Sequence, residues 1–241
     1  QKFHSDLGFI KKRVTESLGD LYGMHWPFKQ HKTSRNIKTL PHHDNLKSFG
    51  ACFGVSGGYE RPMWFALNGK KAEYEYSYKY QNWFPSAEFE TKNTRNNVGL
   101  FELTPFSKFE LKGKKIHSEL QRICTANIKN EIGKTTYTQM LNEDGGIETD
   151  LTTVCLDKDY YRIISSAGTR ERDKHHILKY LDKSIEFKDV TDDYVCLGVF
   201  GPKSRNLLSE IFGSHFSNND FPFGTGKNLK LLQTNIWAQR L

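Results

Sequence analysis

The sequence predicts an α+β fold with mixed or antiparallel sheets and packed helices, and three observations carry that prediction. Pairs of short alternating segments are separated by helix-like segments in irregular order, unlike the strand–helix repeat of a doubly wound parallel sheet. Residues 137–155 read as a β-hairpin. No Gly-x-Gly-x-x-Gly motif follows a strand, so a dinucleotide-binding half of Rossmann type is not expected in this chain. A chain of 241 residues can bury one large core or two smaller ones.

Taken in order, residues 1–65 form a first region. Phe9–Tyr22 has Phe9, Ile10, Val14, Leu18 and Leu21 near helical spacing and predicts an amphipathic helix. Trp26-Pro27 ends it. Leu40–Gly50 predicts a second short helix, with Asp44 near its start and Gly50 at its end. The rest, through Gly54 to Gly58, reads as loop and turn. A segment with so few strands is expected to dock on something larger.

The second region runs from Ala66 to Leu241. It predicts a helix over Ser86–Val98, strands over Gly99–Phe101 and Lys108–Lys112, and a helix over Lys114–Thr125. After the hairpin come a strand Tyr160–Ser165, a helix Gly168–Tyr180, strands Glu186–Val190 and Tyr194–Gly198, and a helix Lys203–Phe212. Ile236–Leu241 reads as the first part of a strand. Its sheet is expected to be partly unpaired, with Trp237 and Leu241 poorly covered. We therefore expect an internal piece of a longer polypeptide.

The hairpin is the most informative stretch. Tyr137 to Leu141 alternates, Asn142 to Gly146 supplies the Asn, Asp and Gly that a turn with positive φ needs, and a second strand continues through Cys155. The turn brings Tyr137 and Asp150 onto paired strands. A carboxylate beside apolar neighbours on a strand costs free energy unless it is paired. Asp150 therefore either ends a turn at the surface or grips a cationic or hydrogen-bonding ligand.

Composition narrows the function classes. The formal net charge of +7 favours an anionic ligand, a nucleic acid or an acidic partner. Its lysines are scattered, as in Lys11-Lys12, Lys70-Lys71 and Lys114-Lys115, where a nucleic-acid protein concentrates them on one face. No apolar run approaches the roughly 20 residues of a membrane span. The N-terminus has neither an initiator Met nor a signal peptide's apolar region. Cys52, Cys124, Cys155 and Cys196 form no Cys-x-x-Cys pair and read as reduced thiols of a reducing compartment. The adjacent pairs His42-His43 and His175-His176 lack metal-ligand spacing, so no metal is expected.

Several stretches resemble one family in the right order along nearly the whole chain. Asn142-Glu-Asp-Gly-Gly-Ile147 followed by Asp150-Leu151 resembles the hairpin motif of the aminomethyltransferase (glycine-cleavage T-protein) family. Val98-Gly-Leu-Phe-Glu-Leu-Thr-Pro-Phe-Ser-Lys-Phe109 is similar to the strand opening its folate-binding domain, Gly201-Pro-Lys-Ser-Arg205 to its Gly-Pro turn, and Phe221-Pro-Phe-Gly-Thr225 to a later folate-lining segment. Upstream, His25-Trp-Pro-Phe28, Gly50-Ala-Cys-Phe-Gly54 and Tyr59-Glu-Arg-Pro-Met-Trp-Phe65 resemble the central region of dimethylglycine and sarcosine dehydrogenases.

The resemblance implies that residues 1–65 are the C-terminal part of a flavoprotein central region and residues 66–241 a folate-binding domain, C-terminally incomplete. It implies tetrahydrofolate, in polyglutamylated form where the basic surface meets an anionic tail, and FAD in a flavin domain of the same polypeptide outside this chain. It places Asp150 next to the reactive pterin nitrogens as the catalytic carboxylate, with Tyr137 and Phe106 lining the pocket and Phe221 and Phe223 as stacking faces; for Phe106, Phe221 and Phe223 the alternative is packing in the core. Ser166 stands where T-proteins carry Asn, and Val154 where some carry Tyr, which favours the dehydrogenase-linked subfamily. His42-His43 would lie near the flavin domain. The implied function is tetrahydrofolate-dependent one-carbon transfer within an N-methyl amine dehydrogenase. The alternatives are a stand-alone glycine-cleavage-type aminomethyltransferase and a non-catalytic folate-binding protein. The expected compartment is the cytoplasm, or the mitochondrial matrix in a eukaryote.

Overall fold

Helix α1 (Leu7–Asp20) opens at Asp6, whose Oδ1 accepts the Phe9 amide at 2.7 Å and so satisfies one of the first-turn donors. The structure, a computed structural model, describes residues 5–213 and 216–241. It divides into two units, one ending at Glu102 and one running from Leu103 to Leu241.

In the first unit the polar side of α1 does the gripping. The Glu16 carboxylate accepts the amides of Lys32 and Thr33 and the Thr33 hydroxyl, while Arg13 donates to the carbonyls of Thr33 and Ser34. The apolar stripe predicted for this helix points outward, with Val14 49 % and Leu18 58 % exposed. Glu16, Asp20 and His31 bring one ligand atom each within 4.8 Å of one another. The Glu16 oxygens are committed to protein donors, however, and Asp20 pairs with Lys29 at 2.6 Å. The cluster is a latch between α1 and residues 29–33.

Helix α2 (His43–Ser48) ends before Gly50, whose φ of +83° only glycine adopts at little cost. The reading of the following residues as loop and turn is overturned. Ala51–Ser56 (β1) and Tyr59–Phe65 (β2) form an antiparallel hairpin around Gly57-Gly58, both at positive φ, as a two-residue turn requires. Ala51, Cys52, Tyr59, Trp64 and Leu40 are buried in this unit. Glu60, 2 % exposed, is held by Arg35 through Nε at 2.7 Å and Nη2 at 2.6 Å. Helix α3 (Phe84–Asn96), with Pro85 in its first turn, and strand β3 (Gly99–Glu102) complete the unit.

The second unit is built on β4 (Ser107–Lys112), β5 (Thr135–Leu141), β6 (Ile147–Asp157), β7 (Tyr160–Ser165) and β8 (Glu186–Asp189). These form one antiparallel sheet in the order β5-β6-β7-β4-β8. Helices α4 (Ile116–Ile123) and α5 (Arg170–Tyr180) supply Ile116, Leu120 and Ile177 to a core made with Phe109, Leu111, Met140, Leu151, Cys155, Tyr161 and Ile163. All the sheet residues in that set share one face, as a side-chain period of two dictates. The predicted α+β architecture with antiparallel sheets is the architecture found.

Strand β9 (Leu197–Phe200) lies later than the expected Tyr194–Gly198, because the Cys196 amide and carbonyl are taken by Thr104 Oγ1 and Leu103 N. Helix α6 (Ser204–Phe212) follows, capped by Gly213 at φ +55°. Then β10 (Thr225–Leu231) and β11 (Thr234–Arg240) pair along their whole length as a two-stranded sheet, so the expected final strand starts at Thr234 and has one partner. Trp237 is half-buried over Gly226, where an added Cβ would fall 2.4 Å from its ring; Leu241 remains 69 % exposed. Cys52, Cys124 and Cys155 are buried free thiols, and Cys196 is half-buried. Among the described residues no helix is long and apolar enough to cross a membrane.

The β10–β11 hairpin is tied to the sheet by main-chain bonds at Gly133 and Gly226. The Gly226 amide donates to the Gly133 carbonyl at 2.7 Å, and the Thr135 amide to the Gly224 carbonyl at 2.9 Å. Gly133 has φ +83°, and a Cβ there would lie 2.5 Å from the Gly226 oxygen. Gly133→Ala should therefore cost about 2–4 kcal/mol from left-handed strain and the clash. Gly19→Ala in α1, with open space around it, should be neutral or stabilising by up to ~1 kcal/mol. Urea unfolding checks both, and equal midpoints for the two variants would contradict the close approach.

Candidate functional site

The second face of the five-stranded sheet holds the candidate acid. On β6 the core takes Leu151, Thr153 and Cys155, so Asp150, Thr152 and Val154 point the other way. Register sets their neighbours. Asp150 pairs with Gln139 and Thr152 with Tyr137, which places the Tyr137 side chain diagonal to Asp150 on the same face. The Tyr137 hydroxyl donates to Asp150 Oδ2 at 3.1 Å. Both side chains are exposed, and among the described residues Tyr137 is the only hydrogen-bond partner of the Asp150 carboxylate. Its second oxygen is available to a ligand.

The pairs Leu151–Ser165 and Ser107–Ser165 continue the register one residue further. Gln139 and Asp150 form one row across the face, and Ser166 and Phe106 stand just past the ends of β7 and β4 beside it. Tyr137, Thr152, Ile164 and Lys108 form the next. Ser166 is exposed and its hydroxyl accepts the Gly168 amide at 3.3 Å, capping a 3-10 turn over Ala167–Thr169. Phe106 is half-buried in the turn before β4.

The two later aromatics part company. Phe223 is 75 % exposed beside Gly224, whose carbonyl holds the start of β5, two residues from Tyr137. Phe221 is buried against Phe216, ring centroids 5.8 Å apart, and Lys227 Nζ lies 4.7 Å from its ring centre. The structure thus joins Tyr137 and Asp150 on one face, leaves Ser166 and Phe106 just past the ends of the neighbouring strands, sets Phe223 near the start of β5, and commits the Phe221 ring to a protein cluster. Val154 is fully buried on the same face.

Sequence reasoning missed the charged floor of this face. Glu110 accepts Arg162 through Nε at 3.0 Å and Nη2 at 2.5 Å, and also the Tyr160 hydroxyl. The Arg162 guanidinium lies 4.5 Å from the Tyr194 ring centre. Burial alone would raise the Glu110 carboxyl, but the hydrogen bonds from Tyr160 and Arg162 outweigh it and hold it below the ordinary carboxylate value. Lys108 is 4 % exposed and donates to the carbonyls of Thr104 at 2.9 Å and Phe106 at 2.7 Å; burial pushes its ammonium below the usual lysine range. The alternation Lys108-Phe109-Glu110-Leu111 was the available signal.

The fold has a solved counterpart. The glycine cleavage system aminomethyltransferase T from Bartonella henselae superposes with a TM-score of 0.66 at 22% identity, over 80% of this chain and 48% of that one. A GCVT N-terminal domain model matches residues 42–241, and an FAD dependent oxidoreductase central domain model matches residues 1–39. The chain belongs to the GCVT N-terminal domain family. It is 36% identical over 97% of its length to 4-methylaminobutanoate oxidase (formaldehyde-forming) of Paenarthrobacter nicotinovorans, covering 28% of that protein. It is 29% identical, again over 97% of its length, to mitochondrial dimethylglycine dehydrogenase of Rattus norvegicus, covering 27%. The chain therefore spans about a quarter of the length of these curated relatives.

Glu110 gives the floor a defined acid response. Its folded pKa lies below the free value of 4.5, so its stabilisation is full above that value and is lost as pH falls through the lower folded pKa. Glu110→Gln should flatten the acid limb of stability below pH 4.5. It should also cost about 3 kcal/mol at neutral pH by leaving Arg162 without its counter-charge. Urea midpoints from pH 7 to pH 3 measure both, and an acid limb as steep as the wild type's would contradict the assignment.

Proposed function

We propose that this chain is the tetrahydrofolate-dependent one-carbon transfer module of an FAD-dependent N-methyl amine dehydrogenase. Residues 1–65 would be the end of the flavoprotein's central region and residues 66–241 the folate-binding domain. The observation that carries the reading is the Asp150 carboxylate, exposed on the ligand face, oriented by Tyr137 through one oxygen and open at the other. The family membership supports it, as does the flavoprotein-type segment at residues 1–39.

The flavin of the neighbouring domain, when bound, supplies the two-electron oxidation of the N-methyl amine. Tetrahydrofolate, when bound, would supply the two nitrogens that accept the methylene carbon of the iminium, with release of the demethylated amine and one proton. Asp150 stabilises positive charge on the iminium carbon or the attacking nitrogen and is placed to receive that proton. The Tyr137 hydroxyl fixes the carboxylate's orientation. Phe106 and Phe223 offer aromatic surface for the pterin, and the chain's net positive charge suits a polyglutamate tail. Having both reactions in one polypeptide keeps the carbon from escaping as formaldehyde. The compartment proposed is the cytoplasm or, in a eukaryote, the mitochondrial matrix.

The test is product partition in the full-length polypeptide with a 13C-methyl amine. The wild type should give labelled methylenetetrahydrofolate when tetrahydrofolate is present. Asp150→Asn should lower that transfer on the order of 10²-fold and leave flavin-linked amine oxidation within a few-fold. Equal loss of both activities, or release of free formaldehyde at the same rate with and without tetrahydrofolate, would overturn the reading.

A further inference from the structure

Beneath Asp150, on the core side of the sheet, lies a carboxylate that the transfer chemistry does not use. Asp173 is in the first turn of α5 and 1 % exposed. Its Oδ2 accepts two hydroxyls from different elements, Thr149 Oγ1 at 3.2 Å and Thr169 Oγ1 at 2.7 Å. Thr149 immediately precedes Asp150 on β6, and its side chain is buried where that of Asp150 is exposed. Thr169 ends the 3-10 turn that Ser166 caps. One oxygen thus joins the strand carrying Asp150 to the turn carrying Ser166.

The arrangement is a poor choice for stability alone. Asp173 Oδ1 has no hydrogen-bond partner and lies 3.5 Å from Arg172 Nε. A buried carboxylate with an unsatisfied oxygen is penalised, and the amino end of α5 offsets only part of that. An apolar side chain would fill the core at less cost but would bond neither hydroxyl.

We propose that Asp173 is a positioning residue for the folate half-site, which rests on the function proposed above. It touches no substrate. It sets the spacing and tilt of Asp150 against Ser166 by holding Thr149 and Thr169 to a single oxygen from behind. A shift of the strand by a fraction of a hydrogen-bond length would move the Asp150 carboxylate relative to a bound pterin, and transfer rates are steep in such displacements.

The experiment uses the full-length polypeptide carrying Thr149→Val, Thr149→Ser, Asp173→Leu, or Thr149→Val with Asp173→Leu. It measures kcat and KM for methylenetetrahydrofolate formation, the rate of amine oxidation, and the melting temperature. Thr149→Val and Asp173→Leu should each lower transfer kcat on the order of tenfold while amine oxidation stays within about twofold. Thr149→Ser should retain wild-type transfer, and the double variant should be no worse than the poorer single one, because both remove one interaction. Equal proportional loss of transfer and oxidation, additive losses, or wild-type transfer in Thr149→Val would overturn the assignment. Should Asp173→Leu fail to fold, the Val and Ser variants of Thr149 decide it. A wild type whose products ignore tetrahydrofolate overturns the folate reading and this proposal together. A wild type that responds, beside a Thr149→Val that matches it, overturns the role of Asp173 alone.

Discussion

The alternation along β6 is the constraint on which the rest of the second unit depends. Leu151, Thr153 and Cys155 are buried with Ile163, Tyr161 and Phe109 in one core layer, so Asp150 and Thr152 are turned to the other face. A slip of one residue would bury a carboxylate and expose Leu151, two penalties of the same sign. The hydrophobic core therefore specifies the orientation of the acid without touching it. The same alternation on β4 and β7 puts Glu110 and Arg162 opposite one another on the face that carries Asp150.

That face is polar yet partly enclosed. Arg162 and Lys108 are both nearly buried, but they are satisfied differently, one by a carboxylate and the other by two carbonyls. Charge-assisted bonds of this kind are directional, so they stiffen the floor where a purely apolar face would tolerate sliding. Asp150 lies on the same face and is exposed to solvent. A stiff, enclosed base beside an accessible acid suits a site that must hold a rigid bicyclic ring and admit a small cationic group.

Much of this was legible in the sequence, for reasons that differ by element. The Tyr137–Cys155 hairpin announced itself because a five-residue turn rich in Asn, Asp and Gly separates two alternating runs, and both signals are local. The β1–β2 hairpin did not, since Gly54 and Pro62 interrupt its alternation, although Gly57-Gly58 is a sufficient two-residue turn. The outward stripe of α1 was legible as a stripe but not as exposed, because burial depends on what the rest of the chain offers it. Phe221 and Phe223 looked equivalent; they sit in an irregular segment with no period to separate the ring that packs from the ring that is exposed. Glu110, Arg162 and Asp173 were each visible as charged residues, but their partners come from distant strands and helices, and a sequence without its register does not say which charges meet.

The join between Gly133 and Gly226 is made of peptide groups alone. Its bonds do not involve the side chains of Phe221 or Phe223, so the segment is anchored in part by peptide groups independent of its aromatics. Such a segment can drift in sequence while keeping its place beside β5. In evolutionary terms, selection for a new ligand can act on the rim of the site residue by residue, with the three glycines at 133, 224 and 226 held constant and the frame unchanged.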